Sequence, residues 1–189
     1  MCSNVTTTCP PSLQQLSKLT VLPTRSSELS ASLAFLQTID HVEIKDATER
    51  DGVVYYHMDV FLTHSTSHIP TIKSTAVSDR PDYQLERRFS AFANLRYEVW
   101  MYVQRQHEDG HRCKYCGAFM SYIVHSMSQP RALVKLATGV NTRKKLLAAF
   151  CNAFVEKTLG HKTDLRQRDT VCTGYQTIPR VVEDFFRQD

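Results

Sequence analysis

At 189 residues the chain has the length of one domain with some additional tail or loop. Its apolar fraction of 42% and charged fraction of 22% suit a globular chain that buries a core, and no apolar run approaches the length of a membrane span. A net charge of +4 permits an anionic partner without demanding one, and no nucleic-acid partner is expected.

The first residues, Met1-Cys-Ser-Asn-Val-Thr, lack the basic flank and apolar block of a secretory leader, and Cys2 stands where myristoylation needs glycine. The six cysteines are scattered, so reduced thiols in the cytosol are expected. Residues 1–32 are rich in Ser, Thr and Pro and read as a flexible N-terminal arm, with Leu13, Leu16, Leu19 and Leu22 at a spacing that allows a short helix.

From Leu33 the texture becomes strand-like, with Phe35, Ile39, Val42 and Ile44. Asp51-Gly52 is a strong hairpin signal. In the β-rich run that follows, Val54, Tyr56, Met58, Val60 and Leu62 alternate and can share one face. A long polar connection, Thr63 to Asp82, leads to a third strand beginning at Tyr83. That strand runs into Arg87-Arg88-Phe89, and Ser90 stands where a helix N-cap would stand. Phe92, Leu95, Val99, Trp100 and Val103 then follow at helical spacing.

Beyond His107-Glu-Asp-Gly110, the stretch His111-Arg-Cys-Lys-Tyr-Cys116 leads into an apolar segment, Ala118 to Met127, broken by Pro130. Within it Phe119, Tyr122, Ile123, Val124 and Met127 suit either a core or a bilayer surface. A further helix is expected from near Thr142 to Gly160, carrying Leu146, Leu147, Phe150, Cys151, Phe154 and Val155. A last helix is expected from Pro179, with Val181, Val182, Phe185 and Phe186. Three strands and then helices give an α+β class: a three-stranded antiparallel meander packed on a helical subdomain.

An arginine pair and an aromatic ring at a strand-to-helix junction aim a guanidinium and a flat apolar wall at one spot, and arginine grips phosphate by two parallel hydrogen bonds. The ordered set of motifs resembles the phox-homology (PX) family of phosphoinositide-binding modules. The resemblance rests on Arg87-Arg88-Phe89-Ser90-Ala91-Phe92 with Leu95, on Pro130-Arg131, and on Arg143-Lys-Lys-Leu-Leu147-Ala-Ala-Phe150. It covers residues 33–189.

The resemblance implies that Arg88 grips the 3-phosphate of an inositol headgroup and that Phe89 floors the ring. It implies that Arg131 meets the 1-phosphate and Arg143 the far edge of the ring. Lys135 is a rival to Arg131, and the proline-rich turn of the family is reduced here to Pro130. The implied partner is phosphatidylinositol 3-phosphate in an anionic membrane surface, and the implied location is cytoplasmic, peripheral on endosomal-type membranes. The alternative is a protein-interaction domain of the same fold with weak or no lipid binding.

No cofactor is expected, and no enzyme. The chain has no Gly-rich phosphate loop, nucleophile elbow or His-Glu-x-x-His motif. Cys113-Lys-Tyr-Cys116 has the spacing of half a zinc site, but completing it needs His107, His111, Cys151 or Cys172, so ordinary thiols are the expectation and a small zinc-binding protein the lesser alternative.

Overall fold

The computed structural model describes residues 25–63, 80–104, 113–131, 134, 138–160 and 172–188. Helix α1 (Arg25–Thr38) leads directly into strand β1 (Ile39–Arg50). A two-residue turn, Asp51 and Gly52, connects it to β2 (Val53–Leu62), with Arg50 opposite Val53. Both turn residues have positive φ, 52° and 73°, as a tight hairpin matched to strand twist requires. Strand β3 (Tyr83–Arg88) pairs antiparallel with β2, from Val60 opposite Tyr83 to Tyr55 opposite Arg88. The sheet order is β1-β2-β3. With the helices this is the expected α+β architecture, a three-stranded antiparallel meander beside a helical layer.

Helix α2 (Phe89–Val103) begins at the residue after β3. Its buried positions Phe89, Phe92, Leu95, Val99 and Val103 recur every three or four residues, so one stripe faces the core. Helix α3 (Lys114–His125) buries Cys116, Phe119 and Ile123. Helix α4 (Val140–Leu159) buries Leu147, Phe150, Cys151, Phe154, Val155 and Thr158 and stops at Gly160, whose φ of 63° suits glycine. Helix α5 (Thr173–Phe186) buries Ile178, Val182 and Phe186. The apolar segment of α3 divides: Phe119 and Ile123 are core, whereas Val124 and Met127 are 47% and 85% exposed.

Several boundaries differ from expectation, each for a local reason. Leu33 to Thr38 is helix rather than strand. The buried side of α1 carries Ser32 beside Leu36, and a polar residue in that row obscures the helical period. Ser32 is buried because its hydroxyl donates to Glu183 at 2.5 Å. Of the expected arm, residues 25–32 belong to α1 and residues 1–24 lie outside the described ones. The last helix starts six residues before Pro179, at Thr173, because the Cys172 sulfur caps it by accepting from the Tyr175 amide at 3.3 Å. Pro179 sits within that helix. Thr142 is the third residue of α4, with Gly139 in the cap position. The Thr63–Asp82 connection lies largely outside the described residues.

Two features fix the helical layer on the sheet. Val42 lies on the edge strand β1, and the Asn152 amide of α4 serves as its missing strand neighbour. It accepts from the Val42 amide at 2.8 Å and donates to the Val42 carbonyl at 2.9 Å. At the other side, β3 holds the C-terminus of α5. Tyr83 donates to the Phe186 carbonyl at 3.0 Å, and Arg87 donates to the carbonyls of Phe185 and Arg187 at 3.3 and 3.1 Å. Helices α1 and α5 lie alongside one another and run the same way. Arg180 lies 3.7 Å from Glu28, Glu183 bonds Ser32, and the Arg187 guanidinium sits over the Phe35 ring at 5.4 Å.

Candidate functional site

The β1–β2 turn, the β3–α2 junction and the start of α4 enclose a cleft of about 400 Å³. Its lining includes Gly52, Val54, Tyr56, Arg88, Phe89 and Arg143. That size falls in the range of small-molecule sites. The local sequence explains how the walls arise. Asp51 and Gly52 turn the hairpin so that its tip lies at one rim. The abrupt change from strand to helix at Arg88 presents Arg88, Phe89 and Ser90 at the other.

Ser90, expected as the N-cap of α2, is its second residue, and Arg88 holds the cap position in extended backbone, φ −79° and ψ 158°. Arg88 offers no side-chain bond to the first-turn amides. A helix start with open amides carries partial positive charge. It adds to the two guanidiniums of the cleft.

Among the described residues these charges are not cancelled by nearby acids. Glu86, the acidic neighbour in β3, pairs with Arg50 and faces His57 at 3.6 Å, and Asp82 accepts from the Leu62 amide at 2.7 Å. Among the described residues the Arg88 side chain makes no ion pair, and it is exposed. Arg143 is half-buried, and its Nε has no hydrogen-bond partner among the described residues. The same is true of the Tyr56 hydroxyl, although Tyr56 is fully buried. Burial pushes the Tyr56 phenol up, and the adjacent Arg143 charge pulls it partly back, so the hydroxyl stays protonated and can donate at neutral pH. Guanidinium and hydroxyl are close enough to interact but do not satisfy each other with normal geometry. Two buried polar atoms without partners beside a cleft are an energetic cost that an anion filling it would relieve.

The expected site residues separate into two groups. Arg88, Phe89 and Arg143 line this one cleft. Phe89 is only 8% exposed, so most of its surface belongs to the core. Arg131 does not line the cleft. Its Nη2 donates to the carbonyls of Ile123 and Val124 at 2.8 and 2.6 Å, closing the C-terminus of α3. Arg131 also lies near Arg96, whose pKa is lowered by burial first and by the Arg131 charge second. Lys135 is outside the described residues.

Sequence reasoning missed Tyr56 and the hairpin tip as site components. Tyr56 carries no motif and reads as one more alternating strand residue; only the fold brings it to Arg143. The cysteine pair is likewise completed by the fold. Cys172 joins Cys113 and Cys116, while Cys151 is buried on α4 apart from them. His107 and His111 lie outside the described residues. Among the described residues no helix is long and apolar enough to cross a membrane. Comparison of the chain with protein-family models, with curated proteins and with solved structures finds no match.

Proposed function

We propose that this chain is a phosphoinositide-binding module of the PX type that brings its protein to membranes bearing phosphatidylinositol 3-phosphate, on endosomal-type surfaces facing the cytoplasm. The observation that carries the reading is that Arg88 and Arg143, far apart in sequence, line one cleft with Phe89 and, among the described residues, without an acidic partner. In this reading Arg88 takes the ring phosphate as a bidentate fork, helped by the open amides of α2. Arg143 and the Tyr56 hydroxyl hold the far edge of the ring, and Phe89 and Val54 border its apolar face. Each charge-assisted contact is worth roughly 1.5–3 kcal/mol. Headgroup affinity is therefore modest, and membrane residence draws on additional apolar contact.

A second reading, a protein-interaction domain of the same fold, is favoured by one specific observation: Arg131 is committed to the carbonyls of α3, leaving the cleft with two arginines instead of three. Co-sedimentation with liposomes that differ only in their phosphoinositide separates the two. The lipid reading expects binding that requires phosphatidylinositol 3-phosphate and is lost in Arg88→Ala while the fold is retained. Binding indifferent to the phosphoinositide, or unchanged in that variant, overturns it.

A further inference from the structure

Three sulfurs that the sequence spreads over 59 positions lie together at one end of the helical layer. The Cys113 and Cys172 sulfurs are 3.5 Å apart, those of Cys116 and Cys172 3.6 Å, and all three lie within 4.8 Å of one another. A disulfide would bring two of them to about 2.05 Å. With zinc–sulfur bonds of about 2.3 Å, the corners of a tetrahedron are about 3.8 Å apart. The two spacings to Cys172 are close to such an edge and too long for a disulfide bond.

Two of the three sulfurs sit at helix starts. Cys113 occupies the cap position of α3 and accepts from the Cys116 amide at 3.4 Å; Cys172 occupies that of α5 and accepts from the Tyr175 amide at 3.3 Å. Two helix N-termini thus point at one cluster, each favouring negative charge and each supplying an amide to a sulfur. Such outer hydrogen bonds orient metal ligands and tune their basicity. Gly174 permits the approach: a Cβ there would lie 2.7 Å from the Cys116 sulfur. Cys116 is buried while Cys113 and Cys172 are half-buried, so the cluster lies at the margin of the core.

We propose that Cys113, Cys116 and Cys172 form a thiolate site for a structural zinc ion, which ties α3 to α5. A structural zinc ion is closed by four protein ligands, so a further side-chain donor completes the tetrahedron. Zn²⁺ binds as the thiols release their protons to solvent, with no change in oxidation state. Without a cation the cluster resists that ionisation. The Cys116 thiol is pushed up chiefly by its hydrogen bond with Cys172 and then by burial, and the Cys113 thiol is pushed up chiefly by burial. A divalent ion reverses that balance. The site is independent of the lipid cleft, so either can fail alone.

The test uses the full chain purified without chelator. Elemental analysis should find about one zinc per chain, and X-ray absorption should place three sulfurs about 2.3 Å from it. Cobalt added to the apo protein should give a thiolate charge-transfer band that is lost in Cys172→Ala and kept in Cys151→Ala. Chelation should lower the melting temperature. A chain that takes up neither zinc nor cobalt, or a metal shell with fewer than three sulfurs, overturns the assignment. The absorption measurement needs no variant, so misfolding of Cys172→Ala does not rescue the idea.

Discussion

Arg87 and Arg88 are neighbours in the chain with unrelated tasks: Arg87 hydrogen-bonds the carbonyls that end α5, and Arg88 lines the cleft beside Arg143. Under the proposed lipid reading the pair therefore separates stability from binding. Arg87→Ala removes contacts at the end of a helix and should destabilise the fold by about 1–2 kcal/mol while leaving headgroup affinity per folded molecule unchanged. Arg88→Ala should do the opposite. Urea melts and liposome binding on both variants decide the matter, and a loss of stability confined to Arg88→Ala would reverse the assignment.

Arg143 lines the cleft, and its guanidinium is a fork rather than a point charge. If the proposed lipid reading holds, replacing it with Ala should weaken headgroup binding by roughly 10–100-fold, the equivalent of one charge-assisted contact. Arg143→Lys should recover only part of that loss, because an ammonium cannot form two parallel bonds. Calorimetric titration with a soluble inositol phosphate reads both, and full activity in Arg143→Lys would show that charge alone suffices.

Asn152 is the clasp between α4 and the edge strand. Asn152→Ala leaves the Val42 amide and carbonyl without their partner, and a cost of about 2 kcal/mol is expected from equilibrium unfolding. Amide exchange at Val42 should rise more than at Met58 in β2. Uniform acceleration of the two amides would instead indicate a global effect.

Tyr83 supplies a pH dependence. Burial first, and the Asp82 charge second, push its phenol up to about 12, whereas an unfolded chain ionises tyrosine near about 10. Below about pH 10 both states are protonated and the contribution of Tyr83 is intact. As pH climbs from about 10 through about 12 the unfolded state sheds the proton first, and stability falls. Denaturant melts of the wild type should show this loss, and Tyr83→Phe should flatten it after a cost of about 1 kcal/mol at neutral pH for the bond to Phe186.

The parts legible in the sequence are those governed by short-range rules. Asp51-Gly52 marked the hairpin because few other dipeptides accept two positive φ angles. Tyr56, Met58 and Val60 showed the buried face of β2 because strand period is strict, and Phe92, Leu95 and Val99 showed the stripe of α2. What escaped was set by partners distant in the chain. Ser32 is a core residue only because Glu183 meets it, which hid α1. Pro179 looked like a helix start, but the cap is Cys172, a residue type rarely read as one. Within the cleft, the sequence pointed to Arg88, Phe89 and Arg143; the turn of Arg131 toward α3 depends on free carbonyls that no pattern displays.

The parallel course of α1 and α5 has a mechanical meaning. The chain enters the described fold beside the middle of α5 and leaves it near the end of α1. A pull applied between residues 25 and 188 therefore drags the two helices lengthwise past each other. The contacts Glu28–Arg180, Ser32–Glu183 and Phe35–Arg187 then share the load at once instead of opening in turn like a zipper.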